Sequence, residues 1–116
     1  MKVELENVKP MEIERRSFEI ITQELGRELP EELAPIIKRC IHTSADFEYA
    51  DSLCFSDHVV EKAMKAIKAG ACIVTDTQMA KSGINKKALG QHGGEVFCFM
   101  SDEDVAETAK KNGTTR

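Results

Sequence analysis

Two short apolar runs set between helix-like stretches limit this chain most sharply. Ala71-Cys72-Ile73-Val74-Thr75 follows a helical pattern and a glycine stop, and Glu95-Val96-Phe97-Cys98-Phe99-Met100 precedes another helical pattern. Runs this apolar, bounded by helices, read as strands buried on both faces, as in a parallel sheet. Helices alternating with such strands predict an α/β fold, a three-layer sandwich with a parallel sheet. Leu53-Cys54-Phe55 is a weaker candidate for a third strand. Two strands rarely make a stable sheet, so the sheet is expected to be incomplete in this chain. Strands from elsewhere would have to finish it, and an exposed apolar edge would favour self-association.

At 116 residues the chain is one domain at most. Its apolar fraction of 41% and charged fraction of 31% are ordinary for a soluble globular protein. A net charge of −4 argues against nucleic acid or an anionic membrane surface as a partner, because both are bound through phosphate neutralisation. The N-terminus lacks the apolar core of a signal peptide, and no run is long enough to span a membrane. Cys40, Cys54, Cys72 and Cys98 are far apart with apolar neighbours. They read as reduced core thiols, and their spacing supports no metal site.

Residues 1–9 read as an extended lead-in. Pro10 opens a helix whose apolar positions include Phe18, Ile21 and Leu25, and Gly26 stops it. Pro30 opens a second helix, with Leu33, Ile36, Ile37, Cys40 and Ile41 as its stripe. A short turn over Asp46 to Ala50 follows. Ser56 reads as the cap of a third helix whose buried face is Val59, Val60, Ala63, Met64 and Ile67, stopped by Gly70. Asn85 to Leu89 reads as one helical turn. Ser101 and Asp104 resemble a capping box for a helix over 102–111, which Asn112-Gly113 ends.

The stretch richest in chemistry is Ile41-His42-Thr43-Ser44-Ala45-Asp46, where the second helix ends. Histidine has an unperturbed pKa of roughly 6.5 and exchanges protons near neutrality. Unpaired backbone groups at a helix end can orient its ring. The plainer alternative is a histidine that only meets the helix dipole. Ser17, mid-helix, needs a hydrogen-bond partner. Asp76 lies just past the first strand, where ligands bind in open α/β sheets.

Several motifs together carry a family resemblance. Ile13-Glu14-x-x-Ser17-Phe18-x-Ile20-Ile21, Ile41-His42-Thr43-Ser44-Ala45-Asp46-Phe47, Gly70-Ala71-x-Ile73-x-x-Asp76-x-x-Met79 with Gly83-Ile84, and the closing Gly113-Thr114-Thr115-Arg116 occur in order. They resemble the precorrin-8X methylmutases of cobalamin biosynthesis. Members of that family continue beyond the Thr-Arg element, so the resemblance implies that residues 1–116 are the N-terminal part of one methylmutase domain.

The resemblance implies an isomerase that moves a methyl group from C11 to C12 of a corrinoid tetrapyrrole, giving hydrogenobyrinate or its cobalt form. It implies a homodimer and no metal or organic cofactor. His42 would be the proton donor and acceptor. Ser17 would contact substrate, and Arg16 and Arg116 would pair with carboxylate arms. Thr43, Ser44, Thr75 and Asp76 are further pocket candidates, each equally open to simple helix-end or strand-end hydrogen bonding. Two other readings compete: a non-catalytic remnant serving as a corrinoid-binding or dimerisation module, and an unrelated metal site using His42, Cys40, Asp46 or His58.

Overall fold

The computed structural model describes residues 6–116, so most of the expected lead-in at residues 1–5 lies outside the described residues. The chain divides into two compact units, Met1–Val60 and Glu61–Arg116.

In the first unit, α1 (Pro10–Leu25) starts at a proline because the missing N–H falls where a helix has no intrahelical partner for it. Gly26 ends it at φ 61°, a left-handed conformation that costs glycine nothing. The second helix starts later than expected. Pro30 opens only a turn, in which the Leu33 and Ala34 N–H groups both donate to its carbonyl. The helix, α2, is Ala34–Ser44. Pro35 explains the gap: without an N–H it cannot bond back to Glu31, so the turn and the helix do not merge.

Ile21 of α1 packs with Ile37 and Ile41 of α2, and these three form the unit's buried cluster. Burying each contributes roughly 1.5–3 kcal/mol. The short helix α3 (Tyr49–Ser52) closes one side, and its lead-in is held by the Asp46 carboxylate, which accepts from the Glu48 N–H at 2.9 Å. Leu53-Cys54-Phe55 is not a strand. Leu53 and Phe55 instead pack on the isoleucine cluster, which uses their apolar side chains without a strand partner.

Helix α4 (Val59–Lys68) begins at the division between the units. It starts three residues after Ser56, because His58 takes φ 55° and breaks helical geometry just before it. Its apolar face is not buried as expected: Met64 is 52% and Ile67 36% exposed. The helix has the right periodicity, but only Val59 and Val60 at its start are half-buried.

In the second unit, β1 (Ile73–Val74) and β2 (Val96–Phe97) pair in parallel, Ile73 with Val96 and Val74 with Phe97. Between them lie α5 (Gln78–Gly83), which the sequence did not suggest, and α6 (Lys86–Gly90). Thr77 caps α5 by accepting from the Ala80 N–H, and Asn85 caps α6 by accepting from the Ala88 N–H. Gly94 lets the chain return beside β1, since a Cβ there would sit 2.7 Å from the Ala71 carbonyl oxygen. Helix α7 (Glu103–Asn112) ends at Gly113, φ 65°. The expected capping box does not form. Asp102 is the cap residue, and Ser101 accepts instead from the Gln78 amide at 3.1 Å.

Helices alternating with parallel strands make this an incomplete α/β fold, with a two-stranded sheet among the described residues. The strands are not buried on both faces. Val74 is 63% exposed, while Ile73 beside it is half-buried. The thiols differ likewise: Cys98 is buried, but Cys54 and Cys72 are exposed, so they are not core residues.

Candidate functional site

Ser17 sits one helical turn before the buried Ile21, so it reaches the rim of the α1–α2 contact. His42 follows the buried Ile41 and reaches the same rim from the last turn of α2. There the His42 Nδ1 and the Ser17 Oγ are hydrogen-bonded at 2.7 Å. A hydroxyl can donate to a bare Nδ1 or accept from a protonated one, so Ser17 serves the ring in either protonation state. With Nδ1 engaged by Ser17, Nε2 is the other ring nitrogen, a donor or an acceptor according to the tautomer.

The ring is also fixed sideways. Phe18 meets it edge-on, with centroids 6.3 Å apart and planes at 71°. The Arg39 guanidinium lies over the Phe18 ring at 6.0 Å, and Glu14 holds Arg39 at 2.8 Å. The turn after His42 is tied down too. Ala45 ends α2 with φ 57°, and its N–H donates to the Ile41 carbonyl at 2.7 Å.

Ser17 and His42 line a cavity of about 400 Å³, with Arg16, Ile13, Ile20 and Phe47 among its walls. The setting is a largely apolar recess with one imidazole, one hydroxyl and one guanidinium. Two carboxylates, Glu6 and Glu24, also line it. Glu6 pairs with Arg16 at 2.7 Å, so that guanidinium already faces a carboxylate.

The other expected site residues lie elsewhere. Thr43 donates to the carbonyls of Arg39 and Cys40, and Ser44 donates to that of Cys40 at 2.6 Å. Both hydroxyls are spent on the last turn of α2, the plainer of their two readings. Thr75, Asp76 and Arg116 belong to the second unit. Thr75 donates to the Thr77 carbonyl at 3.0 Å, Asp76 is exposed beyond β1, and Arg116 donates to the Met100 carbonyl at 3.1 Å. Glu6, Glu24, Phe18, Arg39 and Phe47 were not among the site residues read from the sequence. Only Phe18 and Phe47 carried a signal, as aromatic residues within the two motifs that supply Ser17 and His42.

Among the described residues, no group of three or more His, Cys, Asp or Glu side chains is gathered to hold a metal ion. None of their helices is long and apolar enough to cross a membrane.

Comparison with known proteins gives the motifs a common source. A family model described as CbiC, precorrin-8X methylmutase, matches residues 12–116. A cobalt-precorrin-8 methylmutase of Priestia megaterium is 46% identical over 110 residues, covering 94% of this chain and 49% of that protein. The one from Salmonella typhimurium is 42% identical over 114 residues, covering 93% and 54%. The crystal structure of a precorrin-8X methyl mutase from Thermus thermophilus superposes with a TM-score of 0.77 at 38% identity, covering 87% of this chain and 50% of that one. The chain spans about half the length of the curated relatives it matches. With its model match running from residue 12 to residue 116, the chain belongs to the precorrin-8X methylmutase family.

Proposed function

We propose that this chain carries the proton-transfer part of a methylmutase site that shifts a methyl group from C11 to C12 of a corrinoid, with His42 as proton donor and acceptor. The observation that carries this reading is the 2.7 Å hydrogen bond between Ser17 and His42 at the edge of an apolar cavity. The names of the relatives supply the reaction class and the corrinoid substrate.

In this reading His42 Nε2 lends a proton to the macrocycle. The protonated ring system is electron-poor, which lowers the barrier for the methyl group to migrate with its bonding pair. The proton then returns to the imidazole, so nothing is consumed. Positioned proton transfer of this kind contributes about 10²- to 10⁴-fold. The cavity, at about 400 Å³, takes one substituted edge of a tetrapyrrole rather than the whole ring. Other walls must complete the pocket. Arg16 would meet a carboxylate arm of that edge. The proposal places the chain in the cytoplasm, as the N-terminal part of one methylmutase domain that works as a homodimer.

The test is titration with hydrogenobyrinate, followed by visible absorbance, for the chain and its His42→Ala variant. Saturable binding by the chain, with turnover lost in the variant once the complete domain is assembled, supports the assignment. Normal turnover by His42→Ala overturns it. Binding with no turnover in any assembly would favour the non-catalytic module instead.

A further inference from the structure

One stripe of α1 forms a wall of the His42 cavity. Ile13, Ser17, Ile20 and Glu24 follow one another at intervals of three or four residues, which places them on one side of the helix, and all four line the cavity. The hydroxyl bonded to His42 therefore sits between two isoleucines. Ile13 is 50% and Ile20 52% exposed. Single apolar residues scattered on a surface need no explanation, but these two flank the Ser17–His42 pair within one recess. Val8 and Phe47, both half-buried, extend the apolar lining.

The charges around the cavity do not suit an anion. Among the described residues that line it, Arg16 is the one guanidinium, and Glu6 already holds it at 2.7 Å. Glu24 adds a second carboxylate at the end of the stripe. An ionised carboxylate set against the isoleucines would lose hydration and gain no partner, and Glu24 would repel it. A methyl group in the same place only removes apolar surface from water, which is favourable. We infer that Ile13, Ile20 and Glu24 are specificity-determining residues: beside His42 they admit a tetrapyrrole edge that carries alkyl groups and reject one that carries an acetate arm. A single carboxylate at the margin of that edge is left for Arg16. An apolar wall and a like charge select by what they cost the wrong ligand. The inference rests on the corrinoid reading of the site and adds which edge of the macrocycle enters it.

Two porphyrins provide the test, because their pyrrole rings differ in a single substituent. Coproporphyrin III carries a methyl and a propionate on each ring, and uroporphyrin III an acetate and a propionate. Each is titrated into the full chain at matched ionic strength and followed by its own fluorescence. The expected dissociation constant for coproporphyrin is roughly tenfold or more below that for uroporphyrin. Ile20→Lys, at an exposed position, should abolish the preference. Glu24→Lys should improve uroporphyrin binding by about threefold or more. A lysine in the last turn of a helix suits its dipole, so this second variant decides the matter even if Ile20→Lys fails to fold. Equal affinities for the two porphyrins overturn the inference. So does a preference that neither variant changes, since the porphyrin is then held by general apolar adhesion, and so does the absence of saturable binding by both. The role of His42 stands or falls separately: the ratio of affinities involves no proton transfer, and turnover by His42→Ala does not depend on which porphyrin binds.

Discussion

Ser17 and His42, twenty-five positions apart, share a hydrogen bond of 2.7 Å where α1 crosses α2. Serine is a mild liability in mid-helix, and here its hydroxyl finds its partner on the neighbouring helix. Removing it with Ser17→Ala should leave the helix intact, since alanine is the best helix former. The ring would lose about 0.5–1.5 kcal/mol of orientation, so turnover in the assembled enzyme should fall roughly three- to tenfold. Nitrogen NMR of the imidazole should show the Nδ1 resonance shift as its hydrogen bond to the hydroxyl is lost. Ser17→Thr, which keeps the hydroxyl, should restore most of both.

His42→Asn keeps a polar side chain of similar reach but cannot shuttle a proton. Product formation, followed by visible absorbance in the assembled enzyme, should drop by about 10²- to 10⁴-fold. Under the proposed reading, binding of the corrinoid product should change little, because His42 is one of a dozen residues lining a cavity that takes only one edge of the ring. A drop in affinity that matches the drop in turnover would show His42 to be a binding group only.

Glu6 offers Arg16 a carboxylate at 2.7 Å within the same cavity. The pair is exposed, at 46% and 75% for the two side chains, so it contributes little to stability. Glu6→Gln should leave thermal unfolding unchanged. It should tighten binding of a polycarboxylated corrinoid by about threefold, in line with the 0.2–1 kcal/mol of an exposed ion pair. Calorimetric titration at low and high salt would check it, and the gain should shrink as salt screens the guanidinium.

Ala45 is the non-glycine residue that ends α2 at φ 57°. Left-handed backbone costs an L-residue with a Cβ roughly 1–2 kcal/mol, while glycine loses up to about 1 kcal/mol of chain entropy on folding. Ala45→Gly should therefore be neutral to stabilising, by up to about 1 kcal/mol, with a rise of a few degrees in Tm by circular dichroism. A loss of stability would mean that the Ala45 methyl group makes packing contacts that outweigh the strain.

Local signals located the helices well. Pro10 and Gly26 bound α1 as read, and Gly113 stops α7, because each acts through its own backbone. The late start of α2, set by Pro35, and the unread α5 were local misses, and the other errors came where a neighbour decides. Ser56 and Ser101 look like caps, but His58 at positive φ interrupts one and the Gln78 amide takes the other. The apolar runs of α4 and β1 mark faces made for burial, and periodicity cannot say whether the covering element lies in the same chain. At the site, the motifs led to His42 and Ser17, and the substrate's carboxylate arms suggested Arg16; the three share a cavity. Thr43 and Ser44 look identical in type but spend their hydroxyls on their own helix. Glu6 could not be read at all, because its importance comes only from its pairing with Arg16 in the folded chain.

Only six apolar side chains are buried among the described residues, three of them the isoleucines of the first unit. A core so small leaves little intrinsic stability, and any polypeptide or corrinoid that binds the folded form adds RT ln(1 + [L]/Kd) to it. At a hundredfold excess over Kd that is about 2.7 kcal/mol, a large share of what a domain this size can have. The melting temperature of this chain is then a property of the mixture it sits in, and inside a cell its lifetime against proteolysis would follow the supply of what it binds.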